Sequence, residues 1–368
     1  IPMVLKSRSA LATGSAPAAT LPIDDAGTTY TMAQEASWID ARHYAVGRWD
    51  GSLSVFEFTA SPTAGPKIAM AVNSPAEEGV QMIAALDGAT AFVSSNDNQS
   101  AIVWHSPTGT WIDVVAAASL AFPAEFGVAN SAATTTVDGQ RYLVMGHANG
   151  WVSLWGADGV VTEWVMVAQA DVRAARPANP WGLTNVRGVV ALPSDAEAGY
   201  VVTGSEDGNL TIVRVPDGRI LNAVVYNPAA LRGINSLAAT GFSLLAANCA
   251  VGAADFNLWR YEITPKSWAI TLTDRVNLAV DPTAAQVFNF DVVWAPAAGP
   301  SSFFCSTEEG ALWMGQVLSD GKLSIAGNHA IPGGTLGSAI CCQGRQLAAT
   351  AYDLHEFVIQ PPSAHPAA

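Results

Sequence analysis

The sequence predicts an all-β fold, a seven-bladed β-propeller of four-stranded antiparallel blades, with the ring closed by an N-terminal strand in the last blade. Three observations predict it. A strand–turn–strand unit recurs along the 368 residues at intervals of about 50. The segments flanking each turn carry apolar runs or strict alternation, and no convincing helical segment lies between them. Half the residues are hydrophobic and 13% are charged, with 32 glycines, 21 prolines and 12 tryptophans, which suits many short strands around a large core and argues against disorder.

The turns come first, because aspartate-glycine or asparagine-glycine between two strand-like runs is a strong hairpin signal. They fall at Asp50-Gly51, near Asn98, at Asn149-Gly150, at Asp207-Gly208, near Asp255, at Glu309-Gly310 and near Leu354. Apolar strands such as "RHYAVG", "RYLVMG" and "GYVVTG" precede them, and alternating strands such as "SLSVFEF", "WVSLW" and "NLTIVRV" follow. A third candidate strand lies upstream of each pair ("VQMIAAL", "VRGVVAL") and a fourth downstream ("WIDVVAAA", "RILNAVVY"). The resulting single domain, 1–368, divides into blades at 29–75, 79–120, 128–172, 186–230, 234–280, 287–331 and 335–361. One small sheet cannot bury both its faces, and stacking around a ring does so while leaving only short edges. The last repeat stops after its third strand, "HEFVIQP". Residues 3–13, an unassigned extended stretch, are therefore expected to pair as its outer strand. The first strand of blade one is expected near Tyr30–Ile39.

At these residues the chain resembles the WD40-repeat family across nearly its whole length. "YVVTGSEDGNLTIVRV" (200–215) matches that family's strand–turn–strand core best, followed by "YLVMGHANGWVSLW" (142–155) and "YAVGRWDGSLSVFEF" (44–58). The tryptophan-aspartate dipeptide of the family stands here as Trp155-Gly156, Trp104-His105 or Val215-Pro216. The glycine-histidine that opens a repeat is missing, and Gly146-His147 sits on the second strand instead. The resemblance implies a divergent propeller that acts as a platform for partner proteins. It also implies that the turns between second and third strands line one face of the ring, beside the crossovers between blades.

The net charge of −14 excludes a nucleic-acid footprint and an attraction to anionic lipid. No apolar run reaches the roughly 18–20 residues needed to cross a bilayer, and the opening residues show no hydrophobic core of a signal peptide. Cys249, Cys305, Cys341 and Cys342 form no C-x-x-C, and all four read as small, buried, reduced residues of a cytoplasmic protein. Cys341 and Cys342 should face opposite sides of their strand. Neither G-x-S-x-G nor a phosphate-binding P-loop is present, and the six histidines have no zinc spacing. No catalytic constellation emerges, no cofactor is implied, and a closed ring is expected to be monomeric on its own.

The candidate binding face is assembled from the turns: Trp49, Asp50, Asp97, His147, Glu206, Asp207, Asp255, Glu308, Glu309 and Asp353, with Trp181 in the proline-rich stretch before blade four. Glu77, Glu78, Glu125 and Asp281 on the crossovers add acidity, opposed by Arg48, Arg187 and Arg232. The expected function is a non-catalytic interaction platform whose acidic face docks a basic or mixed-charge segment, with Trp49 or Trp181 as an apolar anchor. The alternative is an enzyme, or a binder of a small ligand or metal, with its site at the mouth of the central channel.

Overall fold

The structure, a computed structural model, describes residues 5–11, 33–49, 51–59, 68–71, 79–86, 88–157, 163–173, 182–226, 233–251, 255–284, 286–335, 339–350 and 354–359. Seven antiparallel blades follow one another around a ring. Blade 1 is β2 (Ala33–Trp38), β3 (His43–Arg48), β4 (Ser52–Glu57) and β5 (Ile68–Ala71). Blade 2 is β6 (Ile83–Leu86), β7 (Ala91–Asp97), β8 (Ser100–His105) and β9 (Val115–Ala121). Blade 3 comprises β10 (Ala129–Val137), β11 (Gln140–His147), β12 (Trp151–Ala157) and β13 (Trp164–Asp171). Blade 4 comprises β14 (Val186–Leu192), β15 (Gly199–Ser205), β16 (Asn209–Val215) and β17 (Ile220–Val225). β18 (Ile234–Thr240), β19 (Ser243–Val251), β20 (Leu258–Thr264) and β21 (Ala269–Val276) build blade 5. β22 (Gln286–Trp294), β23 (Ser302–Thr307), β24 (Glu309–Val317) and β25 (Leu323–Thr335) build blade 6. Blade 7 contains β26 (Ala339–Gln343), β27 (Gln346–Thr350) and β28 (Leu354–Ile359), and its outer strand is β1 (Leu5–Leu11). β1 runs antiparallel to β28 with Leu5 opposite Ile359 and Leu11 opposite Leu354, so the two ends of the chain lock the ring.

The hairpins close as their sequences require. Gly150 N–H bonds His147 O at 3.3 Å and Gly208 N–H bonds Ser205 O at 2.9 Å, and both glycines have positive φ, +80° and +83°. A side chain at that position would be strained. Three bends differ from expectation. Glu309 and Gly310 already belong to β24, so the bend after β23 falls at Glu308. Leu354 is the first residue of β28, and residues 351–353 before it lie outside the described residues. In blade 5, β19 runs past its hairpin and pairs with β22 through Cys249, Ala250 and Val251, which joins blades 5 and 6 into one eight-stranded sheet.

Burial explains why the ring holds. The seven buried apolar clusters each unite residues of two neighbouring blades. One joins Val93 and Phe122 of blade 2 to Leu143 and Trp155 of blade 3, and another joins Tyr44 and Val46 of blade 1 to Ala339 and Ala348 of blade 7. At the latter interface, Tyr44 Oη donates to buried Glu356 at 2.7 Å. Cys341 packs toward blade 1 and Cys342 toward blade 6, on opposite faces of β26. Cys305, Cys341 and Cys342 are free; Cys342 is half-buried, while burial pushes its thiol up to about 12.

A glycine on the second strand recurs at these interfaces, because the next blade's inner strand packs directly against it. A Cβ on Gly47 would lie 2.5 Å from Val80 Cγ1, and one on Gly146 would lie 2.5 Å from Val186 Cγ1. Gly47→Ala is expected to wedge blades 1 and 2 apart and cost about 1–2 kcal/mol. Thermal denaturation beside wild type would check this, and an unchanged melting temperature would show that the interface yields.

Tryptophans on the third strands extend the pattern inward. The indole N–H of Trp104 donates to Ser94 Oγ (2.9 Å), that of Trp259 to Asn248 Oδ1 (3.1 Å) and that of Trp313 to Thr307 Oγ1 (3.2 Å). Each ties the third strand to the second from inside the blade, so a large buried ring keeps its one polar group satisfied.

Candidate functional site

The crossovers and the second-to-third-strand turns share one face, and backbone hydrogen bonds fasten them together. Val80 N donates to Arg48 O (2.9 Å), Ala148 N to Val128 O (3.0 Å), Glu206 N to Asn185 O (2.8 Å) and Glu308 N to Phe288 O (3.0 Å). Asp50, Trp181 and Asp353 lie outside the described residues, as do Glu77, Glu78 and Arg232.

The acidic residues on this face are drawn into local work. Asp97 accepts from Gln99 N (2.9 Å) and Ser100 Oγ (3.0 Å), and Asp255 from Phe256 N (2.9 Å). Glu308 Oε1 accepts from Phe288 N at 2.9 Å, and Glu309 caps the crossover by taking Val280 N (2.7 Å) and Asp281 N (3.1 Å). Burial, with Glu309 alongside, raises the Glu308 carboxyl above its ordinary range. Glu206 pairs with Arg187 and also accepts Asn185 Nδ2 at 2.6 Å. Asp207 is buried against Ser205 Oγ, and its charge is felt by Arg173. Glu125 and Asp281 stand exposed on the crossovers.

His147 sits at a bend in the sequence, but the structure buries it completely. Its Nε2 meets Ser153 Oγ at 2.7 Å, and Ser153 Oγ in turn accepts the Trp155 indole N–H at 2.9 Å. Phe122 and Phe126 pack against the ring, with centroids 4.5 and 5.2 Å away. Burial pushes its pKa down to about 3 despite the Gly127 carbonyl beside it, so it is a neutral core residue and does not face a partner. The crossover into blade 3 covers the side chain through Phe122 and Phe126.

Sequence reasoning named Trp49, Arg187 and Glu206 but missed the other residues that line the central channel. The inner strands carry β-bulges between Ala33 and Glu35, Ala129 and Ser131, Val186 and Gly188, Ile234 and Ser236, and Asn289 and Asp291. A bulge re-aims its extra residue. Here the extra residues are Gln34, Asn130, Arg187, Asn235 and Phe290, and all five line a cavity of about 230 Å³ at the channel mouth, with Gln81 and half-buried Trp49. A second cavity of about 330 Å³ continues beneath it. Glu35, Arg187, Ser236 and Asp291 line both and so form the waist between them.

Hydrogen bonds cross between blades around this channel. Ser131 Oγ donates to Val186 O (2.7 Å), Asn235 Nδ2 to Asn289 O (3.2 Å), and Arg187 Nη1 reaches Gln81 Oε1 at 3.4 Å. Asp291 accepts from Ser236 Oγ (2.6 Å) on blade 5 and from Ile340 N (2.9 Å) on blade 7, spanning three inner strands. Burial raises both waist carboxyls, Asp291 to about 6 and Glu35 well above its ordinary range, with the Asp291 charge adding to the effect on Glu35. Among the described residues no group of three or more His, Cys, Asp or Glu side chains converges as a metal site. No helix among them is long and apolar enough to cross a membrane.

No protein-family model matches the chain, and no curated protein does. Solved structures do. The crystal structure of the Myceliophteria thermophila Cps50 (Swd1) β-propeller domain superposes with a TM-score of 0.62, over 90% of this chain and 98% of that one, at 13% identity. With 1485 solved chains matching, the likeness carries architecture and not a shared activity. The ring order, the inter-blade clusters and this superposition together make the chain a seven-bladed β-propeller.

Proposed function

We propose that the protein is an interaction platform whose turn-and-crossover face docks a basic or mixed-charge segment of a partner protein. The β-propeller fold fits such a role. The observation that supports the charge preference is the group of acids on the turn face, where the described bases are already engaged. Asp97, Glu125, Glu206, Asp255, Asp281, Glu308 and Glu309 lie on the turn face. The described bases there are already engaged: Arg48 is buried, Arg173 pairs with Asp171, Arg187 pairs with Glu206, and Arg275 lies over Phe256. The loops of the opposite face mix both signs: Arg42, Arg219, Lys266, Lys322 and Arg345 stand among Asp40, Asp113, Asp138, Asp195, Glu197, Asp217 and Asp320. Trp49, half-buried at the channel mouth, is the anchor in this reading, with the protein acting as a monomer in the cytoplasm and without catalysis.

The test is titration with a short lysine-rich peptide, followed by NMR. Shifts should concentrate around 97–99, 125, 206, 281 and 308–309, and affinity should fall as salt rises from ~50 to ~500 mM. Exchanging the two exposed acids together, Glu125→Gln with Asp281→Asn, should weaken binding about two- to fivefold, chiefly through the association rate. Binding that maps to the opposite face, or that ignores salt, would remove the proposal.

A further inference from the structure

Glu35 and Asp291 approach the channel waist from blades 1 and 6, and the charges around them are accounted for. Arg187 lines the same space, but its Nε is held by Glu206 and its Nη1 points to Gln81. The thiols of Cys305 and Cys341, which feel Asp291 and in the second case Glu35 as well, stay neutral because burial raises them. Two carboxyls thus share a confined space whose one described base, Arg187, is engaged by Glu206 and Gln81. Asp291 is held rigidly by Ser236, Val292 N (2.9 Å) and Ile340, whereas Glu35 Oε1 accepts Ala36 N (3.0 Å).

An independent feature lies just above. Asn130, 5% exposed, lines the mouth cavity and gives its Nδ2 to Asn185 Oδ1 at 3.2 Å, while its own buried Oδ1 meets no donor. A buried polar atom without a partner costs about 1–3 kcal/mol, a cost that an arriving donor would relieve. Trp49 Nε1 and Gln34 Nε2 line the same cavity without acceptors. Phe288 and Phe290 supply apolar wall. Carboxylates at the bottom, an unmet acceptor on the side and aromatic rings at the entrance match a group with an apolar stem and a charged, donor-rich tip.

We propose that the channel waist binds one organic cation, a primary alkylammonium or alkylguanidinium group, with its tip between Glu35 and Asp291 and its stem against Trp49, Phe288 and Phe290. The donor set disfavours a divalent metal, since only two carboxylates converge there and hard cations need six or so oxygen ligands. This site lies inside the ring and is separate from rim docking. The same chemistry is offered by a free amine and by a lysine or arginine side chain reaching in.

Titrating the full chain with butylammonium, butylguanidinium and, as the uncharged control, butanol tests it by calorimetry and by NMR of the Trp49 indole. Saturable binding of a cation, absence of butanol binding, and a loss of at least about tenfold in Glu35→Gln support the site. A peptide carrying one central lysine or arginine identifies the source: binding of the free cations alone points to a small molecule, and peptide binding abolished by Glu35→Gln points to a side chain. Glu125→Gln with Asp281→Asn should leave cation affinity unchanged, so a failed rim and a failed waist are told apart. Circular dichroism confirms that each variant is folded. Absence of saturable cation binding in wild type, or binding indifferent to Glu35→Gln, overturns the proposal.

Discussion

Removing residues 1–11 should open the ring and lower the melting temperature by roughly 5–10 °C, a loss on the order of 5 kcal/mol. The estimate comes from the ladder between β1 and β28, six residue pairs each contributing a modest net amount. The consequence exceeds the lost hydrogen bonds. β28 would become a free edge, and an unpaired edge is a template for other chains. The truncated protein should therefore also aggregate, and a peptide spanning residues 1–13 should restore its melting temperature in a concentration-dependent way. A truncated chain that melts with wild type and stays monomeric would mean that the inter-blade clusters alone hold the circle.

Glu35→Gln should make the protein more stable at neutral pH, against the usual direction of a substitution in a buried site. Burial raises Glu35 well above its ordinary range, with Asp291 adding to the effect, and burial raises Asp291 to about 6. A carboxyl whose folded pKa is raised binds its proton more tightly in the folded state. Its contribution is complete below the unfolded value near 4 and is lost as pH rises through about 6 for Asp291, and through its own raised folded value for Glu35. Wild type should thus lose stability on the order of 3 kcal/mol between pH ~4 and pH ~8 from this pair. The charged groups facing the pair are Arg187 and, through it, Glu206, with the thiols of Cys305 and Cys341 neutral throughout. The difference in melting temperature between Glu35→Gln and wild type isolates the effect, because titrations common to both proteins cancel. It should be close to zero at pH ~4 and grow as pH rises. A flat difference, or a variant less stable than wild type at pH ~8, would show that the waist carboxyls are not strained. A destabilising pair kept at the centre of a ring is the pattern expected where function opposes stability.

The blade pattern was legible because hairpin chemistry is local. Asp207-Gly208 and Asn149-Gly150 declare their turns through a residue with left-handed backbone, and the strands beside them declare themselves by alternation. Even the closing strand could be read, since a last repeat with three strands needs a fourth from elsewhere. The extension of β19 into blade 6 could not be read, because backbone pairing past a hairpin depends on how two blades meet.

The site divides in the same way. Trp49 could be picked from its place beside a bend, and the acidic turns from composition. His147 carries the same local signature as an exposed turn residue, and only packing by Phe122, Phe126 and Ser153 decides that it is interior. Gln34, Asn130, Arg187 and Asn235 occupy equivalent places in their blades, but unequal loops between first and second strands hide that equivalence in the sequence. By itself the sequence determined the number and kind of strands and the turns, governed by contacts between near neighbours in the chain, and the means of closure, which follows from counting strands in the last repeat. Only the tertiary structure decided what lines the channel. Glu35 and Asp291 are far apart in the chain, and closing the circle is what brings their charges together.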